Sequence, residues 1–145
     1  MAALTSCAES TYFHVGLPDQ DVSSVDSIDL ERANAIVSEV ASRFDFVTHP
    51  DEDEFRRLSK DQEWDREYIA AYQYAGEADA GRIYLFLNQD RHDGHIVVLI
   101  NNLDAYGTTA VVLEVEAALL AEFAEQFPGR PVEIDRVRGV SPLGP

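Results

Sequence analysis

Three runs of the chain decide its fold: Tyr68-Ile69-Ala70-Ala71-Tyr72-Gln73-Tyr74-Ala75, Arg82-Ile83-Tyr84-Leu85-Phe86-Leu87-Asn88 and His95-Ile96-Val97-Val98-Leu99-Ile100-Asn101. The first alternates, with Tyr68, Ala70, Tyr72 and Tyr74 on one side and Ile69, Ala71, Gln73 and Ala75 on the other. That period of two is the signature of a β-strand. The second sets Ile83, Leu85 and Leu87 against Tyr84 and Phe86. The third is apolar on both sides, which places it in the middle of a sheet. The links between them, Glu77 to Gly81 and Gln89 to Gly94, are too short for a parallel crossover, and Asp93-Gly94 is a good reversal dipeptide. The three runs therefore form an antiparallel meander.

Downstream, a helix begins near Thr108 or Thr109, either of which can cap it. Val112, Val115, Leu119, Leu120, Phe123 and Phe127 recur at helical spacing as its buried stripe. Glu114, Glu116, Glu122 and Glu125 are expected on its wet side. Phe127-Pro128-Gly129 ends it, and Val132 to Val137 is a last strand.

Upstream, Ser27 caps a helix whose apolar stripe is Leu30, Ala33, Val37, Val40, Ala41 and Phe44, widened by Ile36. Asp29 and Glu31 sit near the positive end of its dipole. Phe46-Val47-Thr48 is a short strand, closed by His49-Pro50. Thr11 to Leu17 is a half-buried strand with Phe13, Val15 and Leu17 inward and Tyr12 and His14 outward; Pro18 stops it.

Residues 1–10 read as a disordered leader, 11–139 as a single α+β domain and 140–145 as a C-terminal tail. The expected architecture is a two-layer α+β sandwich: a mainly antiparallel sheet of five or six strands, with two main helices packed on one face. The tyrosine-bearing side of Tyr68 to Tyr74 is expected on the open face.

Composition narrows the function. The chain has 145 residues, 46% of them apolar, enough to build a core without disulfides or metal. Twenty-seven acidic against eleven basic side chains give a formal charge of −16. Such a charge repels phosphate backbones and anionic lipid headgroups, so nucleic acid is set aside as a ligand, and a basic protein partner fits. One cysteine, Cys7, allows neither an internal disulfide nor a thiolate zinc cluster. No run approaches the ~20 apolar residues of a transmembrane helix.

Ala2-Ala3-Leu4-Thr5-Ser6-Cys7 resembles the end of a bacterial lipoprotein signal, with Leu three residues before Cys and small residues between them. It lacks the basic region and apolar core of a secretion signal, so the sequence as it stands reads as cytoplasmic. A start upstream of Met1 would instead make Cys7 the lipidated residue of an envelope-anchored periplasmic protein.

Chemistry-bearing clusters are few. No HExxH, GxSxG, P-loop or dinucleotide glycine pattern is present, so no catalytic residue, metal site or cofactor is assigned. His92 and His95 share a turn with Asp90 and Asp93, but that spacing fixes no tetrahedral geometry and reads as a solvated hairpin tip. His14 and His49 would meet only if their strands are neighbours. The loop Asn101 to Thr109 leaves the most buried strand and enters a helix N-terminus, where Asn101, Asp104, Tyr106 and Thr108 are placed to line a small pocket.

Asp51 to Glu67 carries eight acids and four bases, with Phe55, Leu58 and Trp64 as its only large apolar residues. A short amphipathic helix anchored by those three is expected, with a long loop as the alternative. Together with Tyr72 and Tyr74, the residues Asp51, Asp53, Glu54 and Trp64 would form aromatic anchors inside an acidic rim, which suits a basic protein partner. In size, charge and lack of catalytic motifs the chain resembles the immunity proteins with which bacteria neutralise secreted toxins. The expected function is non-enzymatic protein binding of that immunity or inhibitor kind. The alternative is a small-molecule-binding or enzymatic domain working through the 101–109 loop.

Overall fold

The computed structural model describes residues 9–15, 27–76, 82–92, 94–103, 110–128 and 132–138. In chain order these form β1 (Glu9–Val15), α1 (Ser27–Arg43), β2 (Phe46–Thr48), α2 (Glu52–Asp61), β3 (Arg66–Tyr74), β4 (Ile83–Asp90), β5 (Ile96–Asn102), α3 (Ala110–Gln126) and β6 (Val132–Arg138). The strands make one six-stranded sheet in the order β2-β3-β4-β5-β1-β6, antiparallel at every step. The meander occupies β3, β4 and β5, and the central place of β5 follows from side chains buried along its whole length.

Helices α1 and α3 pack side by side on one face of the sheet. Ala33, Ile36, Val37, Val40 and Ala41 of α1, with Val112, Val115, Leu119 and Phe123 of α3, meet Phe13, Leu85, Leu87, Val98 and Ile100 in one continuous core. The α+β sandwich thus forms as the two apolar stripes require. One acid departs from the expected pattern. Glu116 is only 4% exposed and is ion-paired to Arg136 of β6, so it lies on the sheet side of α3 and not on its wet side. Buried carboxylates need such a partner, because an isolated charge in the interior is far costlier than a paired one.

The first strand of the meander departs further. Its register with β4 slips between Tyr68, opposite Asn88, and Ala70, opposite Leu87. This β-bulge at Ile69 adds one residue and flips the remainder of the strand. Tyr68 and Ala71 therefore join Phe86 and Leu99 on the second face, whereas Ala70, Tyr72 and Tyr74 pack with the core beneath the helices. The expectation of one tyrosine-bearing open face is corrected: the bulge divides the tyrosines between the two sides.

That second face is also partly covered. Helix α2 lies over β3, with Phe55 5.8 Å from the Tyr68 ring and 6.0 Å from that of Phe86. Trp64, just beyond the helix, meets Tyr68 edge-on at 5.6 Å. The rest of the face, towards β1 and β6, shows Tyr12 and His14.

Candidate functional site

Helix α2 is attached to the sheet by polar groups as well as by the packing of Phe55 and Trp64. β2 is only three residues long and pairs β3 at Tyr72 to Tyr74, so β3 has no strand neighbour on that side beyond Tyr72. Backbone groups left at such an edge need other partners. The Ala71 N–H donates to the Glu52 carboxylate (2.9 Å), and the Tyr68 N–H donates to Ser59 Oγ (3.0 Å). Glu52, Phe55 and Ser59 recur at i, i+3 and i+7, one face of a helix. Ser59 is fully buried, and its hydroxyl in turn donates to the Arg56 carbonyl.

The end of α2 aims Trp64. Glu63 sits in the left-handed region at φ 52°, with its N–H on the Lys60 carbonyl (3.3 Å) and the Trp64 N–H on the Ser59 carbonyl (3.1 Å). These two bonds make a Schellman cap with glutamate where glycine is usual, a conformation costing an L-residue about 1–2 kcal/mol. Arg91, on the β4–β5 turn, donates to the Ser59 carbonyl (2.6 Å) and the Trp64 carbonyl (2.7 Å), placing a cation at the negative end of the helix.

The outward surface of α2 is acidic and rich in ion pairs. Arg56 reaches Glu52 (3.0 Å) and Asp53 (2.6 Å), and Arg57 lies 3.7 Å from both Glu54 and Asp61. Lys60 faces Glu67 (3.9 Å), and His92 faces Asp65 (3.6 Å). Exposed pairs of this kind contribute about 0–1 kcal/mol each and exchange readily with other partners. Exposed Asp51, Asp53 and Glu54 at the start of α2 and half-buried Trp64 just past its end thus mark the two ends of one shelf on the second face. Tyr72 and Tyr74 do not belong to it. They lie half-buried on the helix-covered side, and Tyr72 lines a groove of about 680 Å³ between the end of α1 and β2.

The alternative pocket is reached in part only. Asn101 lies in β5, fully buried, with its amide donating to Ser10 Oγ (2.9 Å); its Oδ1 has no partner among the described residues. Its side chain therefore belongs to the sheet interior. Asp104, Tyr106 and Thr108 lie outside the described residues, as do Cys7 and Asp93.

The histidines pair differently from either expectation. His92 is exposed on the turn, and His49 accepts the Asp51 N–H (3.0 Å) beside Phe55 and Tyr84. His14 meets His95, Nδ1 to Nε2, at 3.1 Å. The sequence places these two residues 81 apart, and only the pairing of β1 with β5 brings them together. His14 is directly opposite Val97, so His95 is its diagonal neighbour on the same face. Asp135 lies 3.7 Å from His14 Nε2, and Glu133 stands opposite His14 across the β1–β6 ladder. Burial, and next the charge of His95, hold the His14 pKa below the usual imidazole value, while Asp135 acts the other way. The cleft beside this pair, about 380 Å³, is lined by Tyr12, His14, Arg66 and Asp135, with the Arg66 guanidinium 5.0 Å above the Tyr12 ring.

A scan of protein-family models and searches of curated proteins and of solved structures each return no match to this chain. No helix among the described residues is long and apolar enough to cross a membrane.

Proposed function

We propose that this is a non-enzymatic binding protein of the immunity or inhibitor kind, which docks a basic protein partner on the α2 shelf. The observation that carries the reading is the division of labour on α2. Glu52, Phe55 and Ser59 are committed to the sheet, leaving Asp51, Asp53 and Glu54 outward at the start of α2, with Trp64 just past its other end, about 15 Å along the helix. A helix whose side chains accept backbone N–H groups of a sheet edge presents its charges with little ordering cost on association. Cations from a partner can take over carboxylates now held by Arg56 and Arg57, and tryptophan is among the side chains that most often anchor binding energy once buried by a partner. In this reading Tyr72 and Tyr74 have no part in docking. With a start upstream of Met1, Cys7 in its lipobox-like setting would tether the protein to an envelope membrane.

The test is capture by immobilised protein from lysate of the source cells, wild type against the triple variant Asp51→Lys, Asp53→Lys, Glu54→Lys. A stoichiometric basic protein should be retained by the wild type and lost by the variant, with the melting curve displaced only slightly. Retention by both proteins, or no stoichiometric partner for either, would refute the proposal.

A further inference from the structure

We infer that His14 and His95 form a two-imidazole site for a late first-row divalent metal ion, of the class Ni²⁺, Cu²⁺ or Zn²⁺, independent of the α2 shelf. Imidazole nitrogens bind such ions at about 2.0–2.1 Å, so two of them on one ion stand about 2.9 Å apart in square-planar geometry and about 3.4 Å apart in tetrahedral geometry. The observed 3.1 Å between His14 Nδ1 and His95 Nε2 falls between those limits. The rings are inclined at 36° with centroids 5.3 Å apart, and binding an ion requires them to turn until the two lone pairs meet at an angle instead of head-on. A metal ion there takes the place of the proton shared between the two neutral rings, and that proton moves to the far nitrogen of the ring that donated it.

The surroundings match what a ligating histidine requires. With Nδ1 turned to the metal, His14 carries its proton on Nε2, the nitrogen that faces Asp135 at 3.7 Å. A carboxylate on the far ring nitrogen fixes the tautomer and raises ligand basicity. Access is open, since the His14 side chain is about one-third exposed (32%) and borders the 380 Å³ cleft. No group of three or more His, Cys, Asp or Glu converges on one point among the described residues. The site therefore offers two firm ligands and leaves coordination positions free for water or for a donor from another molecule.

Untagged, metal-free protein titrated with NiCl₂, CuCl₂ or ZnCl₂ in a calorimeter tests this. One ion per chain is expected, abolished by His14→Ala and by His95→Ala. Asp135→Asn should weaken binding about 10-fold, and the double variant His49→Ala, His92→Ala should bind as the wild type does. Because either alanine could disturb β1 or β5, the unaltered protein supplies a second readout. Substoichiometric Cu²⁺ should broaden the NMR ring signals of His14 and His95 before those of His49 and His92. Absence of one-to-one binding, its survival in both single variants, or earliest broadening at His49 or His92 would overturn the assignment.

Discussion

Tyr68 shows how far one side chain can depart from its ordinary chemistry in this sheet. It lies beneath Phe55 and Trp64, 5% exposed, and burial pushes its phenol up to about 12. A folded pKa above the unfolded value of about 10 means that the unfolded chain ionises first as the pH rises. The associated stability is complete below pH 10 and is lost between about 10 and 12, amounting to roughly 3 kcal/mol at about 1.4 kcal/mol per unit. Urea unfolding at pH 8 and at pH 11 measures it. The wild type should lose more stability between the two than Tyr68→Phe, which has no phenol to ionise. Equal losses would show that Tyr68 is not the group responsible. The same residue explains why one sequence expectation failed. Strict alternation from Tyr68 to Ala75 is visible in the letters, but the extra residue at Ile69 leaves no mark in them, because isoleucine suits a bulge no better than a regular strand.

At the scale of elements, what could be read from sequence followed apolar periodicity. The stripes of α1 and α3, the apolar run of β5 and the alternation of Phe13 and Val15 all gave correct elements, since burying such side chains leaves few alternative arrangements. Helix α2 was expected, yet its attachment was not. Its register on β3 depends on Glu52 and Ser59, polar residues indistinguishable in sequence from the solvated ones beside them. Glu116 is a further example, an acid within an acidic helix whose burial is decided by Arg136 on a distant strand. The His14–His95 contact was equally invisible, because it arises from pairing between strands 81 residues apart. Ser59→Ala isolates the polar attachment. Leaving the Tyr68 N–H without an acceptor should cost about 1–3 kcal/mol, read from a denaturant midpoint. A change within about 0.3 kcal/mol, the size of an ordinary surface substitution, would mean that α2 is held by Phe55 and Trp64 alone.

For the whole molecule the formal charge is −16, and among the described residues acids stand on both layers in different surroundings. On the helix layer Arg43 bridges Glu39 and Glu122, linking α1 to α3. On α2 the acids are paired with Arg56 and Arg57, both exposed, so a competing cation can displace them. The central claim is that this shelf, and not the groove at the end of α1 or the outer edge of β6, receives the partner. Hydrogen exchange of the free protein and of the captured complex tests it most directly. Slowed exchange should concentrate in peptides spanning Asp51 to Asp65. Slowing confined to Ser38–Thr48 or to Val132–Arg138, with α2 exchanging as in the free protein, would contradict it.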